Sequence, residues 1–168
     1  MAAFDLAIRV VLAHEGGLAD NPNDPGGVTN FGISAKAYPS LGADRIRALT
    51  QEEAVAIYKR DWWDGRGYDQ IRDQAVATKI FDMSVNMGFT TTVRLVQRAL
   101  NYLLRKPKEV TADGVMGPET LGAINGLDPE LLVLTLRAYH CLRYVELVEG
   151  PDLRLETFAK TWLRRAMA

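Results

Sequence analysis

Apolar residues recur along this chain at helical intervals, and the alternation that a half-buried strand needs is nearly absent. Phe4, Ile8 and Val11 fall at i, i+4 and i+7, and Glu15 continues the same stripe. The pattern predicts a first helix to about residue 15, stopped by Gly16-Gly17. From Gly16 to Gly32 the chain reads GGLADNPNDPGGVTNFG, a long glycine- and proline-rich loop with room for a small β-hairpin and no more. Thr50 with Glu53 three residues later is a capping-box signature for a helix through about Trp62. Val76, Ile80, Met83 and Met87 stripe another helix, ended near Gly88, and Thr91 or Thr92 caps the next, with Val93, Val96, Leu100 and Leu103 on its apolar face. A polar loop over 106–117 leads to Pro118, which suits a first helical turn. Asp128-Pro129 starts the longest helix, running to about Glu149, and a final helix carries Leu155, Phe158, Trp162 and Leu163. The chain therefore reads as all-α, with two lobes, 1–90 and 91–168, packed together across the short break at Gly88–Thr91.

Composition narrows the chemistry. Of 168 residues, 48% are apolar and 24% charged, enough for a packed core and against wholesale disorder. Lys and Arg number 20 against 21 Asp and Glu, a net charge of −1, so no basic excess exists to bind phosphate backbones and nucleic acid is not an expected partner. No run approaches the roughly 18–20 apolar residues of a membrane span, so no membrane insertion is expected. One cysteine, Cys141, and two histidines leave no disulfide framework or Cys-rich metal centre, and no phosphate-binding glycine loop is present. Neither a metal nor a cofactor is expected. Cys141 follows His140 within a helix, and adjacent helical side chains diverge by about 100 degrees, so a Cys-His nucleophile pair is not built there and Cys141 reads as a small buried hydrophobe.

A structureless loop of this length inside a compact helical chain is usually functional. Glu15, at its start, lies on an apolar stripe and at the negative end of the helix dipole, two influences that favour a protonated carboxyl. That is what a general acid for glycosidic cleavage needs. The loop adds Asp20, Asp24 and Thr29; the two aspartates also suit Asx turns. A calcium loop of the EF-hand type fails, because Pro22 stands where an oxygen ligand belongs and Pro25 where glycine belongs. Trp62 continues the stripe of Ile57 and Tyr58 and is assigned to the core, whereas Trp63, beside Asp64 and Gly65, is the expected groove residue. Asp82 and Asn86, one helical turn apart, form with Lys79 a polar strip beside an apolar one.

His14-Glu15-Gly16-Gly17, followed by Asn21-Pro22-Asn23-Asp24-Pro25-Gly26-Gly27-Val28-Thr29-Asn30-Phe31-Gly32-Ile33, resembles the signature of the family 108 glycoside hydrolases, N-acetylmuramidases of phages and prophages, some of them labelled secretion activators. Phe81-Asp82-Met83-Ser84-Val85-Asn86-Met87-Gly88 resembles the second motif of that family. The resemblance implies a lysozyme-like α fold with an active-site loop after the first helix. It implies hydrolysis of the β-1,4 bond between N-acetylmuramic acid and N-acetylglucosamine in peptidoglycan glycan strands, and it carries the general-acid role onto Glu15. The spacing of Glu15, Asp24 and Thr29 is similar to that of phage-type lysozymes, where an Asp steadies the oxocarbenium ion or polarises water and a Thr positions that water. Asp20 is the alternative to Asp24. Asp20, Trp63, Asp82 and Asn86 are then candidate substrate-binding residues, the last two for the N-acetyl and hydroxyl groups of the glycan, unless that strip is a solvated face or an internal pair.

In the second half, Val93-Arg94-Leu95-Val96-Gln97-Arg98-Ala99-Leu100-Asn101 and Asp113-Gly114-Val115-Met116-Gly117-Pro118-Glu119-Thr120-Leu121 resemble a helical peptidoglycan-binding repeat. Its Asp-Gly turn and Gly-Pro-x-Thr helix start can equally be a way of folding a short helix pair. Two rivals to the muramidase remain: a lytic transglycosylase, which would leave 1,6-anhydro ends, and a non-catalytic wall-binding or secretion-assisting module. The N-terminus lacks a basic n-region and carries Asp5 and Arg9 in its apolar part, so it does not read as a signal peptide. Synthesis in the bacterial cytoplasm and holin-type release to the wall is the expected route.

Overall fold

The computed structural model describes residues 1–20, 27–105, 109–150 and 159–168. Among them are eight α-helices and one two-stranded antiparallel sheet. Helix α1 (Phe4–Glu15) buries Phe4, Ala7, Ile8 and Val11, the expected stripe, and Gly16 stops it at φ 74°. Strands β1 (Thr29–Asn30) and β2 (Ile33–Ser34) form the small hairpin, with Thr29 opposite Ser34 and Asn30 opposite Ile33. A short α2 (Gly42–Arg47) follows, then α3 (Gln51–Tyr58), whose Thr50 and Glu53 make both halves of the capping box.

From this point the helix widens. Residues Lys59–Trp63 form a π-helical turn, and the Asp64 N–H donates to the Lys59 carbonyl five residues back at 2.8 Å. The extra residue slips the apolar stripe by one position. Trp63 then follows Tyr58 into the core, while Trp62 is left half-buried, its indole N–H on the Tyr38 hydroxyl at 3.4 Å. This reverses the expected assignment of the two tryptophans, because helical spacing of 3.6 residues does not hold through a π turn.

Helix α4 (Gln74–Met87) is the central post, and α1, α5 (Phe89–Leu104) and α7 (Pro129–Val148) all pack on it. Gly88, at φ 83°, joins α4 directly to α5, so α5 begins before the threonines expected to cap it, and Thr92 is buried inside it. Helix α6 (Pro118–Gly126) has Pro118 in its first turn, and Asp128 caps α7 by accepting from the Leu131 N–H at 2.8 Å. Helix α8 (Ala159–Met167) folds back along α7; Leu155 and Phe158, expected on that last helix, lie outside the described residues. One continuous core runs from Phe4 on α1 through Phe81 and Ile80 on α4 to Leu132 and Leu136 on α7. An aromatic cluster anchors its first half: Trp63 stacks on Tyr68 at 5.0 Å and meets Phe4 and Phe81 edge-on at 5.5 and 5.1 Å.

His140, on α7, is fully buried and lies 4.5 Å from the Tyr144 ring, and neither ring nitrogen has a hydrogen-bond partner among the described residues. Burial, reinforced by the charge of Lys79, pushes the imidazole down to about 3. Its folded value thus lies below the unfolded one of about 6.5. Between those values the unfolded chain takes up a proton that the folded chain refuses, so stability falls as pH drops from about 6.5 toward 3, by at most about 1.4 kcal/mol per pH unit. We expect His140→Phe to show a shallower loss of thermal stability than the parent between about pH 7 and 4.5. Parallel curves would contradict this account of His140. Cys141 beside it is half-buried rather than core.

Candidate active site

Glu15 is the last residue of α1, so its side chain leaves the helix at the mouth of the loop. The carboxylate is 18% exposed. The hairpin forms one wall beside it. Phe31 and Gly32 occupy the two-residue turn with φ values of 49° and 77°, a left-handed pair that matches the twist of a tight hairpin. A Cβ on Gly32 would lie 2.7 Å from Glu15 Oε2 and 2.5 Å from the Tyr58 hydroxyl, so the turn backbone is pressed against both side chains. The Tyr58 hydroxyl donates to the Phe31 carbonyl at 3.1 Å. Burial, and next the Glu15 charge, push that hydroxyl above its ordinary range, so it stays a donor.

The hairpin itself is pinned from below. Asn30 is buried, and its Nδ2 lies 3.2–3.3 Å from the carbonyls of Ile46, Arg47 and Leu49 at the end of α2. Ile33 anchors the other strand in the core. The sequence alone does not single out Asn30, Gly32 and Tyr58 as site residues, although the first two fall inside the quoted motif. A signal for Gly32 does exist there: a glycine between two strand-forming residues marks a turn or a close approach.

Thr29 sits half-buried on β1, and its backbone exchanges two hydrogen bonds with Ala19, at 2.8 and 2.9 Å. The bridge brings the two ends of the loop together, with Asp20 and Thr29 at its neck. Asp20 is engaged by Arg47 at 2.7 Å, and that guanidinium holds its carboxyl below the usual carboxylate range. Arg47 also contacts Asp44 at 2.7 Å. Asp24 lies outside the described residues.

Two further expectations are corrected. Trp63 is buried among Phe4, Tyr68 and Phe81 and offers no face to a sugar; Trp62 is the partly exposed indole. The strip of Lys79, Asp82 and Asn86 is not a solvated face: Lys79 and Asp82 are buried and turned to protein partners, and Asn86 is half-buried. Asp82 is buried and its Oδ1 accepts from His14 Nδ1 at 3.0 Å and from Arg165 Nη2 and Nε at 2.9 and 3.1 Å. The buried Lys79 ammonium, which desolvation pushes down to about 8, donates to the carbonyls of Arg165 and Ala166 at 3.3 and 2.6 Å. The Asn86 amide oxygen accepts from the Tyr144 hydroxyl at 2.5 Å. Helices α1 and α8 thus cover Lys79 and Asp82, and α7 meets Asn86 through Tyr144.

Arg165, on α8, completes the arrangement: its Nη1 is 2.8 Å from Glu15 Oε1. The helix end and partial burial expected for Glu15 are present, together with a guanidinium contact that the sequence does not announce. In the second half, Gln97 joins the turn to α5. Its Nε2 donates to Asp113 Oδ1, the Val115 carbonyl and Thr120 Oγ1 at 2.8–3.1 Å, and its Oε1 accepts from the Gly114 N–H at 2.9 Å. The repeat-like residues therefore act first as a fold-forming clasp. No group of three His, Cys, Asp or Glu side chains disposed to hold a metal occurs among the described residues.

Residues 8–88 match the sequence profile of Glycosyl hydrolase 108, and residues 91–167 match that of the Predicted Peptidoglycan domain. The first half of this chain belongs to glycoside hydrolase family 108. In a comparison of folds, the structure of Brucella abortus SagA superposes with a TM-score of 0.76 at 27% identity, over 98% of this chain and 89% of that one. No curated protein shows significant sequence similarity. The chain is thus a glycoside hydrolase of family 108 type joined to a peptidoglycan-recognition half, with peptidoglycan as its partner. No helix among the described residues is long and apolar enough to cross a membrane.

Proposed function

We propose that the protein is an endo-acting muramidase that cleaves the β-1,4 bond between N-acetylmuramic acid and N-acetylglucosamine, with Glu15 as general acid. One observation carries the reading. Within the family 108 region, Glu15 is a partly exposed carboxylate at a helix end, held on one side by a guanidinium and on the other by a glycine turn. Its Oε1 is occupied by Arg165, so Oε2, on the hairpin side, is the oxygen that carries the proton to the leaving glycosidic oxygen. Thr29, at the neck of the loop, positions the attacking water, with Asp24 as the carboxylate that supports the oxocarbenium-like transition state. Asp20 is the weaker alternative for that role, since Arg47 already takes its charge.

Incubation with insoluble purified peptidoglycan separates this from a purely binding role. The expected result is that the protein pellets with the wall and releases soluble glycan fragments. Pelleting without any release would leave a binding module and end the enzymatic reading.

A further inference from the structure

The residue that grips the proposed acid does not come from the glycosidase half. Arg165 lies in the region matched by the peptidoglycan domain, some 150 residues from Glu15, and its side chain is 10% exposed. Its position is fixed at both ends. The backbone around it is held by cations at the C-terminal end of α8, where the helix dipole favours them: Lys79 donates to the carbonyls of Arg165 and Ala166, and Arg137 Nη2 to that of Ala168 at 2.5 Å. The guanidinium is anchored through Nε and Nη2 on Asp82, which His14 braces in turn. That leaves Nη1 facing Glu15 Oε1 at 2.8 Å. A planar fork can use two edges at once in this way, whereas an ammonium cannot.

We propose that Arg165 is a positioning residue for the reaction: held by Asp82, it fixes the Glu15 carboxyl group and balances its charge, so the peptidoglycan-recognition half completes the active site. This rests on the reading of Glu15 as the acid. With Oε1 tied to Arg165, Oε2 is the oxygen outside that pair, which sets the direction of proton delivery. Other titratable and charged groups face this cluster: His14 from α1, Tyr58 from α3, Lys79 and Asp82 from α4, and Arg137, His140, Cys141 and Tyr144 from α7. The split between kcat and KM, read together with the conservative lysine variant, separates Arg165 from them.

The test uses the full chain with Arg165→Gln and Arg165→Lys, assayed on soluble uncross-linked glycan strands, with circular dichroism to check the fold. For Arg165→Gln, kcat should fall at least about tenfold while KM changes little, as expected when a reacting group is misplaced and substrate binding is left intact. Arg165→Lys should not restore kcat, because an ammonium cannot hold Asp82 and Glu15 along two edges at once. Parent-like kcat in a folded Arg165→Gln protein overturns the proposal. If Arg165→Gln fails to fold, Arg165→Lys decides alone, and a parent-like kcat there overturns it. Loss of activity in Glu15→Gln together with a parent-like Arg165→Gln rejects this inference only. Full activity in Glu15→Gln rejects both this inference and the reading of Glu15.

Discussion

Glu15→Gln is expected to lower the rate of glycan release by about 10²–10⁴-fold while leaving the protein folded and still able to pellet with peptidoglycan. The amide is the same size as the carboxyl it replaces, so the hairpin wall formed by Gly32 and Tyr58 is not disturbed. What is lost is the transferable proton on Oε2. Arg165 loses one of its two carboxylate partners but keeps Asp82, so the guanidinium is not stranded. Steady-state kinetics on soluble strands, with circular dichroism for the fold, measure this directly. A variant within about twofold of the parent would place the chemistry on another residue.

Gly32→Ala should be almost as damaging, by a different route. At φ 77° an L-residue costs about 1–2 kcal/mol, and the added methyl would also meet the Tyr58 hydroxyl and Glu15 Oε2 at 2.5 and 2.7 Å. One of the three must move. Tyr58 is buried and its hydroxyl is bonded to Phe31, so Glu15, the most exposed of them, gives way. Displacement by about 1 Å costs on the order of 10²-fold in rate. Gly42→Ala supplies the control, since Gly42 has φ 75° and, apart from its own chain neighbours and helix backbone, no atom within 4 Å of the place its methyl would take. It should lose stability comparable to the backbone part of the Gly32 effect and keep full activity. Equal activity losses in the two alanine variants would show that backbone strain alone explains Gly32.

These expectations rest on features that the chain itself announces to very different degrees. Helix ends with local causes are readable: Gly16 after the stripe of α1, the Thr50–Glu53 box, Pro118 opening α6 and Asp128 capping α7. In each case the residue acts on its own neighbours. The exchange of Trp62 and Trp63 is not readable, because the π turn at Lys59–Trp63 changes the period without an obvious residue signature. Asp82 looks like part of a polar strip, and its burial becomes evident only once α8 is known to lie over it. Arg165 is the hardest to anticipate. Nothing near it in the chain hints at Glu15, and the contact exists only because α4 and α7 dock the end of α8. The motif around Glu15 locates the site, and long-range packing supplies the electrostatics.

The most direct test of the central claim is mass spectrometry of the soluble products released from purified peptidoglycan. A muramidase adds water across the glycosidic bond, so every new end should be a reducing N-acetylmuramic acid, and such ends should be absent from a parallel Glu15→Gln digest. New ends of the 1,6-anhydro type, lighter by one water, would contradict hydrolysis and leave Thr29 and Asp24 without the water they are proposed to serve.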